Sequence, residues 1–523
     1  MELKQNPIHR NYKKSEARSQ ITIGDDYSVP EGKCDIAEIL QKKGELFIHE
    51  VHTEKGKIRI QGALQLSILY LTERALKAVD GLTAEIPFDE ILYMEGAASG
   101  DNLKIDWDME ELRVTVIHPG KLGIRGIVSL WGMITGTETS YVTENVEGLS
   151  DIQKNMGSFV MAEPAVEKNE SFRIRDEVNL PVNKPNVGSV LWKDLQLRGL
   201  EIRMQEGRLS VKGETLFFAV YEGEEEGAGI QWMEQSLPFH GTVDVPGMTP
   251  EMFGLLEPEI SHQEIELKPD YDGEMRSFQW ELVLEIHMHV YEERTCPLLT
   301  DAYSVSRNLK LQPQEVTYER LRMCNQTRCR VNGQEQLASD LRVLQILGHQ
   351  ARIFGKKQKA TDQGILCEGT LEVQILYITA SDSRPLGCAT VLIPYSQLIE
   401  IPEMQREDLW KVWEMPEQVL ISMPEGSRME VRATIQLNAC VMELCHVNHA
   451  AEITAEDYDP EMMKKRPGIL VHFVQPKETL WEIAKNNFTT VEEVKKRNDL
   501  SADEVLPGQK LLITKGALEE ISG

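Results

Sequence analysis

Three segments of the chain share one pattern of apolar and polar positions. Each begins at a Gly, alternates partly between apolar and polar side chains, and ends at a Tyr. The three segments are Gly62–Tyr70, Gly213–Tyr221 and Gly369–Tyr377. Their content of Val, Ile, Leu, Phe and Tyr predicts β-strands. Because the spacing from Gly to Tyr is the same in all three, the pattern also indicates an internal repeat.

Further anchors extend the repeat. At a constant distance after each Tyr comes a proline followed by an aromatic residue: Pro87-Phe88, Pro238-Phe239 and Pro394-Tyr395. Each copy then ends in an alternating run that predicts another strand: Ile124–Leu130, Trp280–Ile286 and Met429–Leu437. Long amphipathic helices are scarce, although Asp35–Gln41 and its equivalents predict one short opening helix. We therefore predict a mainly β protein with three antiparallel, sandwich-like domains. The repeated Gly would allow a close backbone approach, and the repeated Tyr would pack at a strand end.

The end of the chain has a different pattern, which predicts strand, helix, helix and strand. Thr479 with Glu482 three residues later is typical of a capping box at a helix start, and Thr490 with Glu493 repeats it. A turn at Pro507-Gly508 precedes a closing strand. These elements predict a small α+β module with βααβ order.

These patterns divide the chain into six predicted parts. They are a disordered polar tail at 1–28, repeats at 29–150, 165–300 and 315–450, a linker at 451–467 and the C-terminal module at 468–515.

Charge and composition limit the classes of partner that we expect the chain to bind. The chain has 56 Lys and Arg against 84 Asp and Glu, a net charge of −28. Phosphate backbones repel such a chain, so we predict no nucleic-acid partner. No apolar run is long enough to cross a membrane, and we predict no membrane insertion. The N-terminus is polar and does not resemble a secretory signal. We therefore expect folding in the cytosol, with the eight cysteines as reduced thiols.

Motifs for catalysis are absent from the sequence. It contains no P-loop, dinucleotide-binding Gly-rich turn, G-x-S-x-G or H-E-x-x-H. Two groups come nearest to a metal site: His287 with His289, and a cluster of Cys440, Cys445, His446 and His449. The first has no third ligand that the sequence identifies, and the second lacks zinc-knuckle spacing. We predict no catalytic residues, no metal and no cofactor.

The C-terminal module resembles a LysM domain, a family that recognises glycans containing N-acetylglucosamine. The resemblance implies a sugar site built from Thr479, Asn498, Pro507, Gly508 and Gln509. Where the family usually has Gly-Asp in its glycan-facing loop, this chain has Lys477 and Glu478. Half of the expected sugar-binding rim is therefore altered, which favours a protein partner as an alternative to a glycan.

The repeats resemble the SPOCS domain of spore coat proteins, and three copies followed by one LysM resemble the SipL-like family of coat morphogenetic proteins. This resemblance implies a non-enzymatic sporulation adaptor in the mother-cell cytoplasm, at the forespore surface and in the spore coat. It also implies that the LysM module binds the coat morphogenetic ATPase, stage IV sporulation protein A. The residues predicted for that face are Ile469, Lys477 and Trp481, although Trp481 could instead cover the small core. The alternative is a peptidoglycan-binding anchor, and self-association of the repeats stays open.

Overall fold

In the computed structural model, each repeat contains six strands arranged as two three-stranded antiparallel sheets. The structure describes residues 1–73, 77–225, 227–337, 342–425, 427–465 and 467–514. The first and last strands of each repeat pair along most of their length. Within each repeat the strand orders are first–sixth–fifth and second–third–fourth. This arrangement confirms the predicted mainly β fold with repeated antiparallel domains.

The strands of the first repeat are β1 (Glu2–Ser28), β2 (Ile36–Glu54), β3 (Lys57–Thr72), β4 (Val79–Tyr93), β5 (Asn102–His118) and β6 (Lys121–Glu147). Those of the second are β7 (Ile152–Asn179), β8 (Val187–Gln205), β9 (Arg208–Gly223), β10 (Ile230–Asp244), β11 (Phe253–Pro269) and β12 (Met275–Ser304). Those of the third are β13 (Arg307–Gln336), β14 (Val343–Thr361), β15 (Gly364–Ser381), β16 (Arg384–Glu400), β17 (Leu409–Glu425) and β18 (Arg428–Asp457).

The remaining elements are α1 (Pro460–Lys464), β19 (Ile469–Phe473), α2 (Leu480–Asn486), α3 (Val491–Arg497) and β20 (Lys510–Thr514). Strands β19 and β20 form a separate two-stranded antiparallel sheet. The predicted βααβ order of the C-terminal module is therefore confirmed.

The repeated Gly makes room for the repeated aromatic residue. Gly213 lies directly opposite Phe239 on the neighbouring strand, and a Cβ added at Gly213 would come 2.9 Å from that ring. Gly369 has the same relation to Tyr395. An aromatic ring that covers a cross-strand glycine stabilises the pair and fixes its register. The two anchors found in the sequence are thus the two halves of one packing contact.

The two sheets of each repeat face each other across an apolar core. In the first repeat, Ile60 and Leu66 of β3 pack with Val128 and Leu130 of β6. The repeated Tyr is buried at the end of this core, where the Tyr70 hydroxyl donates to the Cys34 carbonyl at 3.0 Å. Tyr221 makes the equivalent bond to Pro185. Each repeat is therefore a sandwich closed at one end by a tyrosine.

The three repeats also close on one another. Leu69, Val220 and Leu376, which occupy equivalent positions, belong to one buried cluster. Around them, Lys77 pairs with Glu222 between the first and second repeats, and Arg384 pairs with Glu38 between the third and first. This arrangement has approximate threefold symmetry, and we call it the repeat ring.

Beyond the sandwiches, the long outer strands of the three repeats pack together. One apolar cluster takes Ile8 and Val142 from the first repeat, Met161 and Leu298 from the second, and Val316 from the third. The far ends of β6, β12 and β18 are thereby held side by side. The C-terminal module lies against this end of the molecule.

The prediction of a disordered tail at 1–28 is wrong. Those residues form β1, which pairs with β6 from Glu2 opposite Glu147 to Ser28 opposite Lys121. The segment looked disordered because β1 is an edge strand whose side chains are mostly exposed. Its ordering comes chiefly from main-chain pairing with a strand far away in sequence.

The short opening helix predicted at Asp35–Gln41 is also wrong, because β2 begins at Ile36. Two register shifts, between Ile36 and Glu38 and between Ile39 and Gln41, interrupt the alternation of this strand. Bulges insert extra residues, so the apolar positions fall at helix-like intervals. The same pair of shifts recurs in β8 and β14, which makes it a feature of the repeat.

The predicted boundaries also need correction. Strand β7 begins at Ile152 and β13 at Arg307, so both repeats start earlier than the predicted 165 and 315. The predicted linker at 451–467 is partly strand and partly helix, because β18 runs to Asp457 and α1 follows.

The expectation of reduced thiols fails at one pair. Cys324 on β13 and Cys440 on β18 lie directly opposite, with Cα atoms 4.1 Å apart, and form a disulfide. The other six cysteines are free thiols. Among the described residues, no helix is both long and apolar enough to cross a membrane.

Candidate partner-binding site on the C-terminal module

The C-terminal module is built around two capped helices. Thr479 caps α2 by accepting from the Glu482 backbone, and the Glu482 carboxylate accepts from the Thr479 backbone. Thr490 caps α3 by accepting from the Glu493 backbone. The core of the module contains seven buried side chains: Val474, Leu480, Ile483, Ala484, Val494, Leu511 and Ile513. A module this small leaves few apolar residues for any other purpose.

One face of the module is held against the second repeat. The Trp481 indole donates from Nε1 to Asp301 Oδ2 at 2.7 Å, and its ring packs edge-on against Tyr303 with centroids 4.8 Å apart. Lys485 adds an ion pair to Asp301 at 2.6 Å. We use the name docked face for these contacts of Trp481 and Lys485, together with the contacts of Thr489 and Phe488 described next.

Aromatic contacts complete the docked face. The Tyr303 hydroxyl donates to the Thr489 carbonyl at 2.8 Å, and burial raises the pKa of Tyr303 above its usual range. Tyr458, between β18 and α1, packs edge-on against Phe488 at 4.7 Å. Because Tyr303 is itself buried, the module packs against the second repeat and covers part of its surface.

The opposite side of the module is open and apolar. In the β19–β20 sheet, His472, Leu511 and Ile513 lie on the side that faces the core, Leu470 lies on the same side but is 38% exposed, and the alternate residues point outwards. The outward apolar side chains are Ile469, Val471, Phe473 and Leu512, which we call the open face. Ile469 and Phe473 are 65% and 52% exposed. An apolar patch on a module this small is typical of a contact surface.

The three residues predicted for protein binding have different surroundings. Ile469 lies at one end of the open face, as expected. Trp481 is half-buried in the docked face, so its ring serves a contact within the chain. Lys477 is exposed in the loop before α2 with φ of +69°, the left-handed region where glycine is favoured. The cost expected from replacing the family's glycine with lysine is therefore present in this backbone.

The residues predicted for glycan binding largely support the backbone of the module. Asn498 donates to the Val494 and Leu512 carbonyls and accepts from the Leu512 backbone at 2.6 Å. Gln509 Oε1 accepts from the Leu506 backbone. Gly508 has φ of +83° in the turn after Pro507. The Thr479 hydroxyl is the cap of α2. Of this set, Pro507 and Gly508 are exposed in their turn, and Gln509 is half-buried.

Glu478 also has an internal role. Its carboxylate accepts from the Gln475 backbone at 2.9 Å and from His472 at 2.8 Å. Burial opposes ionisation, but these hydrogen bonds lower the pKa of Glu478 below its ordinary value. The residue replacing the family's aspartate thus fixes the loop that carries Lys477.

Two families of known domains match the chain. The model of the SipL, SPOCS domain matches residues 35–117, 186–268 and 342–423, and the model of the LysM domain matches residues 472–514. The chain has a SipL-like architecture. Each SPOCS match covers strands two to five of a repeat, and the long first and sixth strands lie outside it. The domains are those of a sporulation protein with a module of peptidoglycan-binding capacity, and neither family is catalytic.

Two curated relatives match a short part of the SipL-like chain. Both are described as a probable endopeptidase p60, from Listeria seeligeri at 49% identity and from Listeria welshimeri at 47%, each over 47 residues. The chain spans about 9% of the length of either relative, and the match covers 9% of this chain. No solved structure matches.

The histidines and cysteines weighed as metal ligands serve other contacts in the SPOCS repeats. His287 lies 2.9 Å from Asn169 Oδ1. Cys440 is in the disulfide, and the His449 ring accepts from the Thr143 backbone inside the bundle of long strands. Within the described ranges, no three His, Cys, Asp or Glu side chains are grouped so as to hold a metal ion.

The sequence analysis missed Val471, Phe473 and Leu512 of the open face. All residues of β19 except His472 are apolar, so no alternation separates the inward from the outward side chains. It also missed Asp301 and Tyr303, which lie far away in sequence and carry no local signal for docking.

Proposed function

We propose that this protein is a non-enzymatic sporulation adaptor whose LysM module binds the coat morphogenetic ATPase, stage IV sporulation protein A, through the open face. In this role it helps to assemble and attach the spore coat around the forespore. It would act in the mother-cell cytoplasm, at the forespore surface, and remain in the coat. The SipL-like architecture supports this choice of partner and location.

The observation that carries the proposal is the open face itself. A sugar site presents hydrogen-bonding groups at aromatic or polar edges, whereas Ile469, Val471 and Leu512 offer only aliphatic surface. Phe473 adds an aromatic anchor of the kind that dominates protein interfaces, and Lys510 lies over its ring at 5.5 Å. A flat apolar sheet face with a charged rim fits a protein surface better than a glycan chain.

The predicted residues keep roles in this proposal. Ile469 contributes directly to the open face. Lys477 lies in an adjoining loop and would provide a cation at the rim, where charge affects the association rate more than affinity. Trp481 would act at a distance, because it fixes the orientation of the module on the second repeat.

The test compares two ligands for the full chain. Binding to the purified coat ATPase would be measured by titration calorimetry, and binding to insoluble peptidoglycan by co-sedimentation. The proposal expects saturable binding to the ATPase and weak or no retention on peptidoglycan. Retention on peptidoglycan with no heat on mixing with the ATPase would contradict it.

A peptidoglycan anchor is the second candidate, and the LysM match at 472–514 favours it. The Pro507-Gly508 turn and the side-chain amide nitrogen of Gln509 would line that sugar site. Against it, Asn498 and Thr479 are engaged in bonds that hold the module together. Under this reading, Gln509→Ala would release the chain from peptidoglycan and leave ATPase binding unchanged.

A further inference from the structure

A cavity of about 480 Å³ lies where the three repeats meet. Leu284 of β12 and Glu372 and Gln374 of β15 add to a wall that comes mainly from the same two strands of every repeat: β2, β8 and β14 from one sheet, and β5, β11 and β17 from the other. All six are edge strands, which present main-chain groups away from their own sheets. The cavity is therefore a composite of the repeat ring, and no single repeat could form it.

The equivalent residues that line the cavity have diverged. Lys43 of the first repeat occupies the position of Asp194 in the second and Gln350 in the third. Lys42 likewise corresponds to His349. If the cavity were only a structural seam between three copies, similar residues at the three positions would satisfy it. Instead, at the position of Lys43 the first and third copies contribute donors, and the second contributes the acid that pairs with Lys43 at 2.8 Å.

The carboxylates of the cavity are mostly neutralised by their own partners. Lys43 pairs with both Glu45 and Asp194, Arg352 pairs with Glu372, and Glu417 pairs with Arg328 of the third repeat. Asp108 accepts from the Gly355 backbone and faces Lys356. These charges cancel locally and leave little net negative potential.

Within the described ranges, three cations of the cavity have no carboxylate at ion-pair distance: Lys42, Arg198 and Lys356, of which Lys356 faces Asp108. The polar neighbour of Arg198 is the ring of His349, 3.5 Å away. Burial and the nearby Arg198 lower the pKa of His349 to about 4, so this ring is neutral at physiological pH. Gln350 adds a buried amide nitrogen that has no acceptor. A buried donor without an acceptor, such as this amide nitrogen, is costly unless a ligand or water satisfies it.

The rest of the wall is apolar. Trp107 and Met109 of the first repeat and Trp413 and Met415 of the third line it, together with Leu284 of the second. Pockets that bind small molecules combine an apolar wall with a few convergent polar groups. Here the polar groups include Lys42 and Arg198, which have no ion pair, and the unsatisfied amide nitrogen of Gln350.

We propose that this cavity binds a small amphipathic anion, with a carboxylate or phosphate held by Lys42, Arg198 and Gln350 and an apolar body between Trp107 and Trp413. Because three repeats build the site, such a ligand would bind only the closed ring and would stabilise it by mass action. This proposal is independent of what the LysM module binds.

The test titrates the full chain with octanoate, 2-naphthoate and 2-naphthyl phosphate, with 2-naphthamide as the neutral control of equal size. We expect at least one of the anions to bind at least tenfold more tightly than the amide and to raise the melting temperature of the protein. Arg198→Gln and Lys42→Gln should each weaken that binding about tenfold. Arg173→Gln, which removes an exposed arginine of the same repeat outside the cavity, should leave it unchanged.

Three results would overturn the proposal. The first is that none of the three anions binds at millimolar concentration. The second is that the amide binds as well as the anions. The third is that the anions bind equally well to the Arg198 and Lys42 variants when circular dichroism shows those variants folded. If either variant fails to fold, Arg198→Lys keeps the charge and should retain most of the affinity for the anion.

Discussion

The repeat ring buries its contact faces between repeats, whereas the LysM module buries only one of its two sides. In the ring, each repeat's contact faces meet another repeat, through shared apolar clusters and ion pairs such as Lys77 with Glu222. The module commits one side, around Trp481, to the second repeat and leaves the other side apolar and exposed. The closed ring is a rigid base. The module is docked on that base by one side, so its exposed side has a fixed orientation. This difference supports the proposal that the repeats form a scaffold and that the module recognises the partner.

The largest effect should come from the buried ion pairs of the ring. Glu257 on β11 is buried and pairs with Lys104 of the first repeat and Lys411 of the third, at 2.7 Å for the latter. Burial alone would raise its pKa, but Lys411 and Lys104 lower the pKa of Glu257 to about 2. Glu257→Gln leaves Lys411 without its counter-charge and leaves Lys104 with only the half-exposed Asp106, 3.1 Å away, which should cost about 3–5 kcal/mol of unfolding free energy.

Chemical denaturation of the full chain measures this loss. The matched control is Glu456→Gln, which breaks the exposed pair with Lys310 and should cost less than about 0.5 kcal/mol. Equal losses for the two variants would show that Glu257 has no special place in joining the repeats. The LysM module should keep its own fold in both variants.

The docked face should be weaker than the ring. Trp481→Ala removes a ring contact and a hydrogen bond to Asp301, so docking should weaken by about 2 kcal/mol. Hydrogen exchange should then rise at Tyr303 and around Thr489, while the core of the module stays protected. Trp481→Phe keeps the ring and should show a smaller rise. Unchanged exchange at Tyr303 in Trp481→Ala would mean that the module is not held in this way.

A buried acid in the bundle of long strands makes the stability of the protein depend on pH. Glu319 on β13 is almost fully buried; burial raises its pKa to about 7, although Arg10 acts against this. Because the folded state binds this proton more tightly than the unfolded state, stability should fall as pH rises from about 4.5 to about 7. Between pH 5.5 and 7.5 the Glu319 contribution should be on the order of 1 kcal/mol. It should vanish in Glu319→Gln, and a wild-type-like slope in that variant would refute it.

The smallest effect concerns the loop beside the open face. Lys477 holds a positive φ that costs an L-residue up to about 1 kcal/mol, so Lys477→Gly should raise the stability of the module slightly. Thermal melting with a probe in the module tests this, and Lys477→Ala is the control because it keeps the strain. A glycine variant less stable than the alanine variant would contradict the strain argument.

Much of the fold could be predicted from the sequence because it depends on local contacts. Gly213 and Phe239 were visible as anchors because one packing contact fixes both, and the caps at Thr479 and Thr490 need only neighbouring residues. What failed depends on distant partners. Strand β1 reads as a tail because its partner is β6, and the bulges of β2 imitate a helical period.

The site was half predictable for the same reason. Ile469 and the altered loop at Lys477 and Glu478 could be identified from their neighbours. Asp301, which receives both Trp481 and Lys485, lies in another domain, so no local pattern could show that the Trp481 ring faces inwards. Divergence between repeats, as at Lys43, Asp194 and Gln350, becomes meaningful only when the ring brings these residues to one cavity.

The central claim is that the open face recognises the protein partner and the docked face only positions it. Calorimetric titration of the purified coat ATPase into full-length Phe473→Glu, with Leu506→Glu as an exposed apolar control outside the open face, tests it most directly. We expect the Phe473 variant to lose at least about 30-fold in affinity while the control keeps wild-type affinity. Wild-type affinity in a folded Phe473→Glu protein would contradict the account.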